Sequence, residues 1–165
     1  MYRSSAEAVI KGSAKYPDIK GIAQFEETQD GVAVSITLRG LPVTEGKCSY
    51  GIFAAHIHEG GSCTGNPQDL LADTGGHFNP QGCPHPFHAG DMPPLFAAGD
   101  KAAIAFLTNR FTVQEIIGKT IVIHSSADDF HSQPSGNSGE KIRLRSNTHY
   151  KFRSLIVVEL KITVY

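Results

Sequence analysis

Six potential metal ligands between residues 56 and 91 are the strongest constraint on how this chain of 165 residues can fold. They are His56, His58, His77, His85, His88 and Asp91. Most of them lie in a segment, residues 59–100, that reads as one loop of about forty residues, and loops of that length are usually either functional or disordered. Metal coordination can hold a loop that has little core of its own. The sequence therefore predicts a metal-binding loop.

Two of these histidines end a predicted strand. His56 and His58 follow the apolar run 52–55, and the two-residue period of a strand puts both imidazoles on one face. His124 ends a second apolar strand further along the chain. With His77 these residues make four imidazoles, a set that suits Cu(II).

A second group lies in the proline-rich part of the loop. His85, His88 and Asp91 recur every third residue and can turn inward around one ion. Two nitrogens and a carboxylate leave a tetrahedral zinc one ligand short. His77 lies between the two groups, and an imidazole that loses both protons can bind one metal through each ring nitrogen. It can therefore complete both sites, and the second is predicted to be a closed, structural zinc site.

The combination and order of several motifs resemble one known family. The motifs are His56-x-His58, Gly76-His77-Phe78-Asn79-Pro80, His88-Ala89-Gly90-Asp91, His124 followed by Asp128-Asp129, and Ser135-Gly136-Asn137-Ser138-Gly139. Over about residues 6–142 the sequence resembles the copper/zinc superoxide dismutases. The resemblance implies an all-β, antiparallel Greek-key sandwich or barrel with a long metal-binding loop. It also implies an enzyme that converts superoxide to oxygen and hydrogen peroxide by Cu(II)/Cu(I) cycling.

The resemblance assigns roles to individual residues. It implies copper ligands at His56, His58, His77 and His124, and zinc ligands at His77, His85, His88 and Asp91. His77 would form the imidazolate bridge and carry the catalytic proton.

Two further roles follow from the same resemblance. Asp128 would hydrogen-bond His56 on the copper side and His85 on the zinc side, which fixes both rings. Lys141 occupies the position where the family usually has an arginine that guides the anion, so it is the second catalytic candidate.

Two other functions compete with this interpretation. The first is a noncatalytic copper/zinc-binding or copper-delivery module on the same scaffold, because a fold does not fix a function. Lys141 and the divergent tail favour it, whereas the intact fourth ligand His124 opposes it. The second is a zinc hydrolase, in which Asp-His typically continues the His-x-His motif. Here Glu59-Gly60-Gly61 follows instead.

The whole chain, residues 1–165, is predicted to be one domain built of short strands joined by turns. Strands are predicted at 6–14, 19–28, 32–39, 50–58, 101–107 and 119–124. Residues 111–118 fit either a strand or a short helical turn.

Charge and hydrophobicity limit which classes of partner the chain is expected to bind. Fifteen basic and sixteen acidic residues give a formal charge of -1, which argues against nucleic-acid and anionic-membrane partners. No signal peptide or long apolar segment is evident, so a cytoplasmic location is predicted, or an extracytoplasmic one if a leader was removed. Superoxide is the small-molecule partner that the resemblance implies, and a homodimer is an assembly often found in the family.

The three cysteines, Cys48, Cys63 and Cys83, do not fit the family's disulfide. Cys63 matches a loop cysteine that the family bridges to its last strand, but Leu144 stands at the expected partner position. That bridge cannot form. Cys63 and Cys83 could instead staple the metal loop, or all three could be reduced thiols.

The resemblance ends at Ile142, and residues 143–165 diverge from the family. Back-translation of residues 143–148 with one nucleotide removed reads Ala-Cys-Gly-Val-Ile, which looks like the family's final strand. We hypothesise that one inserted nucleotide shifted the reading frame, which sequencing of the gene would test. Residues 158–164 alternate well enough to form a replacement strand.

Overall fold

The computed structural model describes residues 4–13, 16–43, 46, 51–68, 71–139 and 156–159. These residues contain the following strands: β1 Ser5–Lys11, β2 Lys20–Thr28, β3 Gly31–Arg39, β4 Ile52–Phe53, β5 Ala55–His58, β6 Leu95–Ala98, β7 Lys101–Thr108, β8 Thr120–Ile123 and β9 Ile156–Glu159. A 3₁₀ turn, Ala72–Thr74, and a short helix, α1 Val113–Ile116, complete them. No helix in this part of the chain is both long and apolar enough to span a membrane.

The strands form two antiparallel sheets. One has the order β1-β2-β3-β7-β6-β4, and the other has the order β5-β8-β9. β7 lies beside β3 although three strands come between them in sequence, which is the non-local return of a Greek key. The predicted all-β antiparallel fold is confirmed.

Alternation of apolar and polar residues explains the first three strands. Along β1, β2 and β3 the inward side chains are buried while their neighbours face outward. Phe25, Ile10 and Ile36 are among the largest fully buried side chains of the core. β1 ends at Lys11 rather than at the predicted residue 14, because a turn follows it, in which the Tyr16 N–H donates to the Ser13 carbonyl.

The predicted strand 50–58 is divided into β4 and β5, which belong to different sheets. Ala54 separates them. Its N–H donates to the Ser126 carbonyl at 3.0 Å, and its carbonyl accepts from the His124 N–H at 2.8 Å. The chain thus crosses between sheets immediately before His56 and brings it next to His124.

Two other segments differ from or refine the prediction. Residues 59–100 are not entirely loop, because β6 pairs with both β4 and β7 near the end of that segment. Residues 111–118, which fit strand or helix, contain α1. Thr112 caps this helix by accepting from the Glu115 N–H, while the Glu115 side chain accepts from the Thr112 N–H.

The tail contributes β9, which pairs antiparallel with β8 and overlaps the predicted strand 158–164 at residues 158 and 159. Lys141, Cys48 and the remaining tail residues lie outside the described part of the chain. Cys63 and Cys83 are not bridged to each other, so the staple of the metal loop, one of the two alternatives for these cysteines, is not formed.

Candidate metal centre

Two buried groups of potential metal ligands meet at one imidazole. The first group comprises His56, His58, His77 and His124, and the second comprises His77, His85, His88 and Asp91. Within each group, one potential ligand atom from every residue lies within 4.8 Å of the others. The seven ligand residues predicted from the sequence are therefore the ones that the fold brings together, with His77 in both groups.

Backbone hydrogen bonds at Ile57 hold the loop against the strand that carries His56 and His58. The Ile57 carbonyl accepts from the Phe78 N–H, and the Ile57 N–H donates to the Gly90 carbonyl, both at 2.8 Å. The Gly90 N–H in turn donates to the Phe78 carbonyl. The two loop segments next to His77 and Asp91 are thus fixed to one residue between the paired histidines.

Hydrogen bonds select which ring nitrogen of each histidine faces the first group. Nε2 of His56 lies 2.7 Å from Oδ2 of Asp128, and Nδ1 of His58 lies 3.1 Å from the Gly75 carbonyl. These contacts use one ring nitrogen of each residue, so metal binding in the first group would be through Nδ1 of His56 and Nε2 of His58. Nδ1 of His56 and Nε2 of His77 are buried without a hydrogen-bond partner in the described structure. Such orphaned acceptors suit metal coordination.

Distances in the second group fit a tetrahedral zinc. Nδ1 of His77 lies 2.8 Å from Asp91 Oδ1 and 3.4 Å from Nδ1 of His88. Nδ1 of His85 lies 3.1 Å from Asp91 Oδ2, yet it forms no hydrogen bond. Zinc bonds of 2.0–2.1 Å place tetrahedral ligands about 3.3 Å apart. The separations therefore suit four ligands around one ion.

The carboxylate of Asp128 connects the two groups. Its Oδ2 contacts His56, and its Oδ1 lies 2.9 Å from Nε2 of His85. The backbone N–H of Phe130 also donates to Oδ1, at 2.7 Å. Gly136 has a positive φ of 67°, and a Cβ there would overlap Asp128 and crowd Nε2 of His85. The absence of a side chain at Gly136 lets this loop close over the carboxylate.

Burial and charge set the protonation of this network. Burial lowers the pKa of His56 and outweighs the Asp128 hydrogen bond, which raises it. Burial also lowers the pKa of His88, against the charge of Asp91. Both imidazoles therefore favour the neutral form that binds metals.

Both carboxylates favour the ionised form, although burial alone would favour the neutral form. Burial opposes ionisation of Asp128, but hydrogen bonds from His56, the Phe130 N–H and His85 lower its pKa to about 2. The pKa of Asp91 is likewise lowered overall, because the hydrogen bond from His77 and the nearby imidazoles outweigh burial. Both are ionised at neutral pH.

The sequence interpretation missed two residues that support the second group. Nη1 of Arg110 donates to the Pro86 carbonyl at 3.0 Å and approaches the carbonyls of His88 and Asp91 at 3.4 Å. The Gln133 side chain accepts from the His85 N–H and donates to the His85 carbonyl. These contacts join residues 19 to 48 positions apart, so no local pattern reveals them.

His131, His149 and Lys141 are not among the seven residues of the two ligand groups. The side chain of His131 is 82% exposed. His149 and Lys141 lie outside the described residues, so the anion-guiding role of Lys141 remains a prediction.

Comparison with known proteins gives consistent matches. A family model described as "Copper/zinc superoxide dismutase (SODC)" matches residues 19–144. Superoxide dismutase [Cu-Zn] 2 of Aquifex aeolicus is 33% identical over 141 residues, which cover 76% of this chain and 77% of that protein. Superoxide dismutase [Cu-Zn] of Deinococcus radiodurans is 34% identical over 144 residues, with 76% and 75% coverage.

A solved structure shares the fold. The Cu/Zn superoxide dismutase from Brucella abortus superposes with a TM-score of 0.70 and covers 95% of this chain and 99% of its own. Its sequence identity is 19%, so this likeness concerns the β-barrel architecture.

Proposed function

The chain belongs to the copper/zinc superoxide dismutase family, and we propose that its first ligand group holds copper and its second holds zinc. The protein is a superoxide dismutase, an oxidoreductase whose family acts on superoxide. The observation that carries the metal assignment is the presence of His77 in both groups. An imidazole shared by two sites can bind through each of its nitrogens, which is the basis of a bridged pair of metals.

The chemistry of the donors supports this division. Four imidazoles suit Cu(II), while three imidazoles and a carboxylate suit a closed zinc site. When bound, copper supplies the one-electron redox cycling by which two superoxide ions and two protons give oxygen and hydrogen peroxide. Orientation of the ligands and handling of protons are the parts of the reaction that fall to the described residues.

His77 is the residue best placed to handle a proton. Its Nδ1 is held by Asp91 at 2.8 Å, whereas its Nε2 has no hydrogen-bond partner in the described structure. We assign to Nε2 the atom at which a proton is held for delivery to the reduced oxygen species. Nδ1 belongs to the second ligand group, which would keep the ring oriented while Nε2 gains or loses that proton.

The noncatalytic alternative is not favoured. The relatives that match most of this chain are named superoxide dismutases, and the fourth imidazole of the first group is present. Lys141 is proposed to attract the superoxide anion in place of the family's arginine, because a single positive charge still raises the local anion concentration.

The function is tested by measuring superoxide dismutation by the purified protein after loading with copper and zinc, together with its metal content. Fast turnover is expected, and His124→Ala should abolish it by removing one imidazole of the first group. His131→Ala is the matched control, because its ring is exposed and belongs to neither group. Full occupancy of both metals with little activity would contradict the assignment and favour the noncatalytic module.

A further inference from the structure

Four basic side chains form one row across the outer face of the six-stranded sheet. Lys11 on β1 is directly opposite Lys20 on β2, and Lys20 is opposite Arg39 on β3. The register between β3 and β7, continued by one residue, places Arg39 beside Lys101. All four residues are exposed. We call this set the basic row.

The basic row is not explained by the needs of the fold. Like charges directly opposite each other in a sheet are destabilising. The part of the chain that the structure describes contains six basic residues, and four of them are in the basic row. None of these four side chains forms an ion pair within the described residues. Lysines often protect sheet edges, but only Lys11 lies on an edge strand.

A row of mainly apolar side chains runs beside the basic row, two residues further along each strand and therefore on the same face. From β1 to β4 it contains Val9, Ile22, Thr37, Ala103, Phe96 and Ile52. Val9, Ile22 and Phe96 are 43%, 41% and 65% exposed. Isolated exposed apolar residues are ordinary, whereas a continuous row across six strands forms a patch. We call this set the apolar row.

We propose that this face binds the surface of a membrane containing anionic phospholipids. The basic row would contact lipid phosphates, and the apolar row would reach the boundary between head groups and acyl chains. Four neighbouring strands at a spacing of about 4.8 Å carry the basic row over about 14 Å, which is enough to contact several head groups. The charges and apolar groups lie side by side, as an interfacial binding surface requires.

Charge complementarity distinguishes this partner from a second copy of the chain. The same face offers the carboxylates of Glu7 and Glu26 at its opposite end, and Glu7 already accepts a hydrogen bond from Gln24. These two carboxylates, together with that of Asp100 beside the basic row, cannot neutralise four cations. A soluble polyanion would neutralise the basic row but would leave the apolar row in water.

The net charge of -1 predicts no anionic-membrane partner, and this inference departs from that expectation. Net charge averages over the whole chain, whereas a surface a few ångströms from lipid responds to the charges that face it. The strand register concentrates those charges on one face.

The test is flotation of the metal-loaded protein, residues 1–165, with phosphatidylcholine vesicles that contain or lack phosphatidylglycerol. Binding is expected only to the anionic vesicles and should weaken at high salt. Lys20→Gln with Arg39→Gln should reduce the affinity about twenty-fivefold, because each cation near an anionic surface contributes about fivefold. Phe96→Ser should also reduce it.

Matched variants control for net charge and folding. Gln68→Glu with Gln81→Glu lowers the net charge by the same amount at exposed loop positions and should leave vesicle binding unchanged. Lys11→Gln with Lys101→Gln repeats the test on the other two strands of the basic row. Thermal unfolding of each variant verifies that it is folded.

Four results would overturn the proposal. The first is no binding to anionic vesicles at low salt. The second is an equal loss of binding in the basic-row and loop variants. The third is equally tight binding to double-stranded DNA that does not change in Phe96→Ser, which would indicate a polyanion site. The fourth is self-association in sedimentation velocity that Phe96→Ser abolishes, which would make this face a contact between copies.

Discussion

Oδ2 of Asp128 lies 2.7 Å from Nε2 of His56, and this contact directs the other nitrogen of the ring toward the first metal-binding group. Asp128→Asn should therefore weaken copper binding by about 10–100-fold, as is typical when a residue that orients a metal ligand is lost. A carboxylate accepts from both His56 and His85, whereas the amide has a single acceptor oxygen. Competition with a copper chelator measures the change.

Asp129→Asn serves as the control for that experiment. Asp129 is the next residue, and its Oδ1 accepts from the backbone N–H groups of His131 and Ser132 without touching either ligand group. Similar losses of copper affinity in both variants would show that loop geometry, rather than the contact to His56, is responsible.

The stability of the metal-free protein should depend on Asp128 at acidic pH. Its pKa falls from 3.8 to about 2 in the folded chain, so its contribution is fully present above about pH 4 and is lost as the pH falls through about 2. The contribution is about 2 kcal/mol. We expect the difference in unfolding free energy between the wild type and Asp128→Asn to shrink by this amount between pH 5 and pH 2. A difference that stays constant over this range would contradict the prediction.

Arg110 should stabilise the second ligand group although it touches no ligand side chain. Its Nη1 contacts three carbonyls of the loop, those of Pro86, His88 and Asp91. Arg110→Ala should lower the unfolding free energy by about 2 kcal/mol, because these hydrogen bonds come from a charged donor. Zinc should also dissociate faster, as chelator competition would show.

Arg110→Lys tests whether the charge alone or the guanidinium group is needed. It keeps the charge but loses the planar guanidinium that reaches several carbonyls at once. An intermediate loss is expected, and full retention of zinc in Arg110→Ala would show that the loop is held without this residue.

An ion pair next to the loop offers a double-mutant cycle. Nζ of Lys119 lies 2.9 Å from Oε2 of Glu59 and 4.3 Å from the ring centroid of Phe78, and Oε1 of Glu59 accepts from the Asn79 N–H. The Lys119 side chain is 17% exposed. Lys119→Gln should lower the unfolding free energy by about 1 kcal/mol. Combined with Glu59→Gln, the losses should be less than additive, and strict additivity would mean that the pair is not coupled.

The sequence predicts those parts of the fold whose signals are local. Strict alternation over β3 and the polar turn before it place that strand to within one residue. The division of 50–58 at Ala54 is not predictable in this way, because its cause is a pair of hydrogen bonds to residues 124 and 126. β6 was missed because four residues next to Pro93 and Pro94 carry too short a pattern.

The helix α1 shows that a local signal can be present and overlooked. Thr112 and Glu115 are spaced as in a capping box, which favours a helical turn over a strand. For the candidate site, the spacing of its histidines and the motifs around them predicted both ligand groups. Arg110 and Gln133 could not be predicted, because their partners are distant in sequence and are brought near them only by the fold.

The pairing of β9 with β8 has an evolutionary consequence. β8 leads into His124, so residues 156–159, which lie beyond the part of the chain that the family model matches, border the strand that delivers a ligand of the first group. Main-chain donors and acceptors are the same in every residue except proline, so a strand of new sequence can complete a sheet. Residues 156–159 should therefore tolerate many substitutions over generations, provided that none introduces a proline against β8.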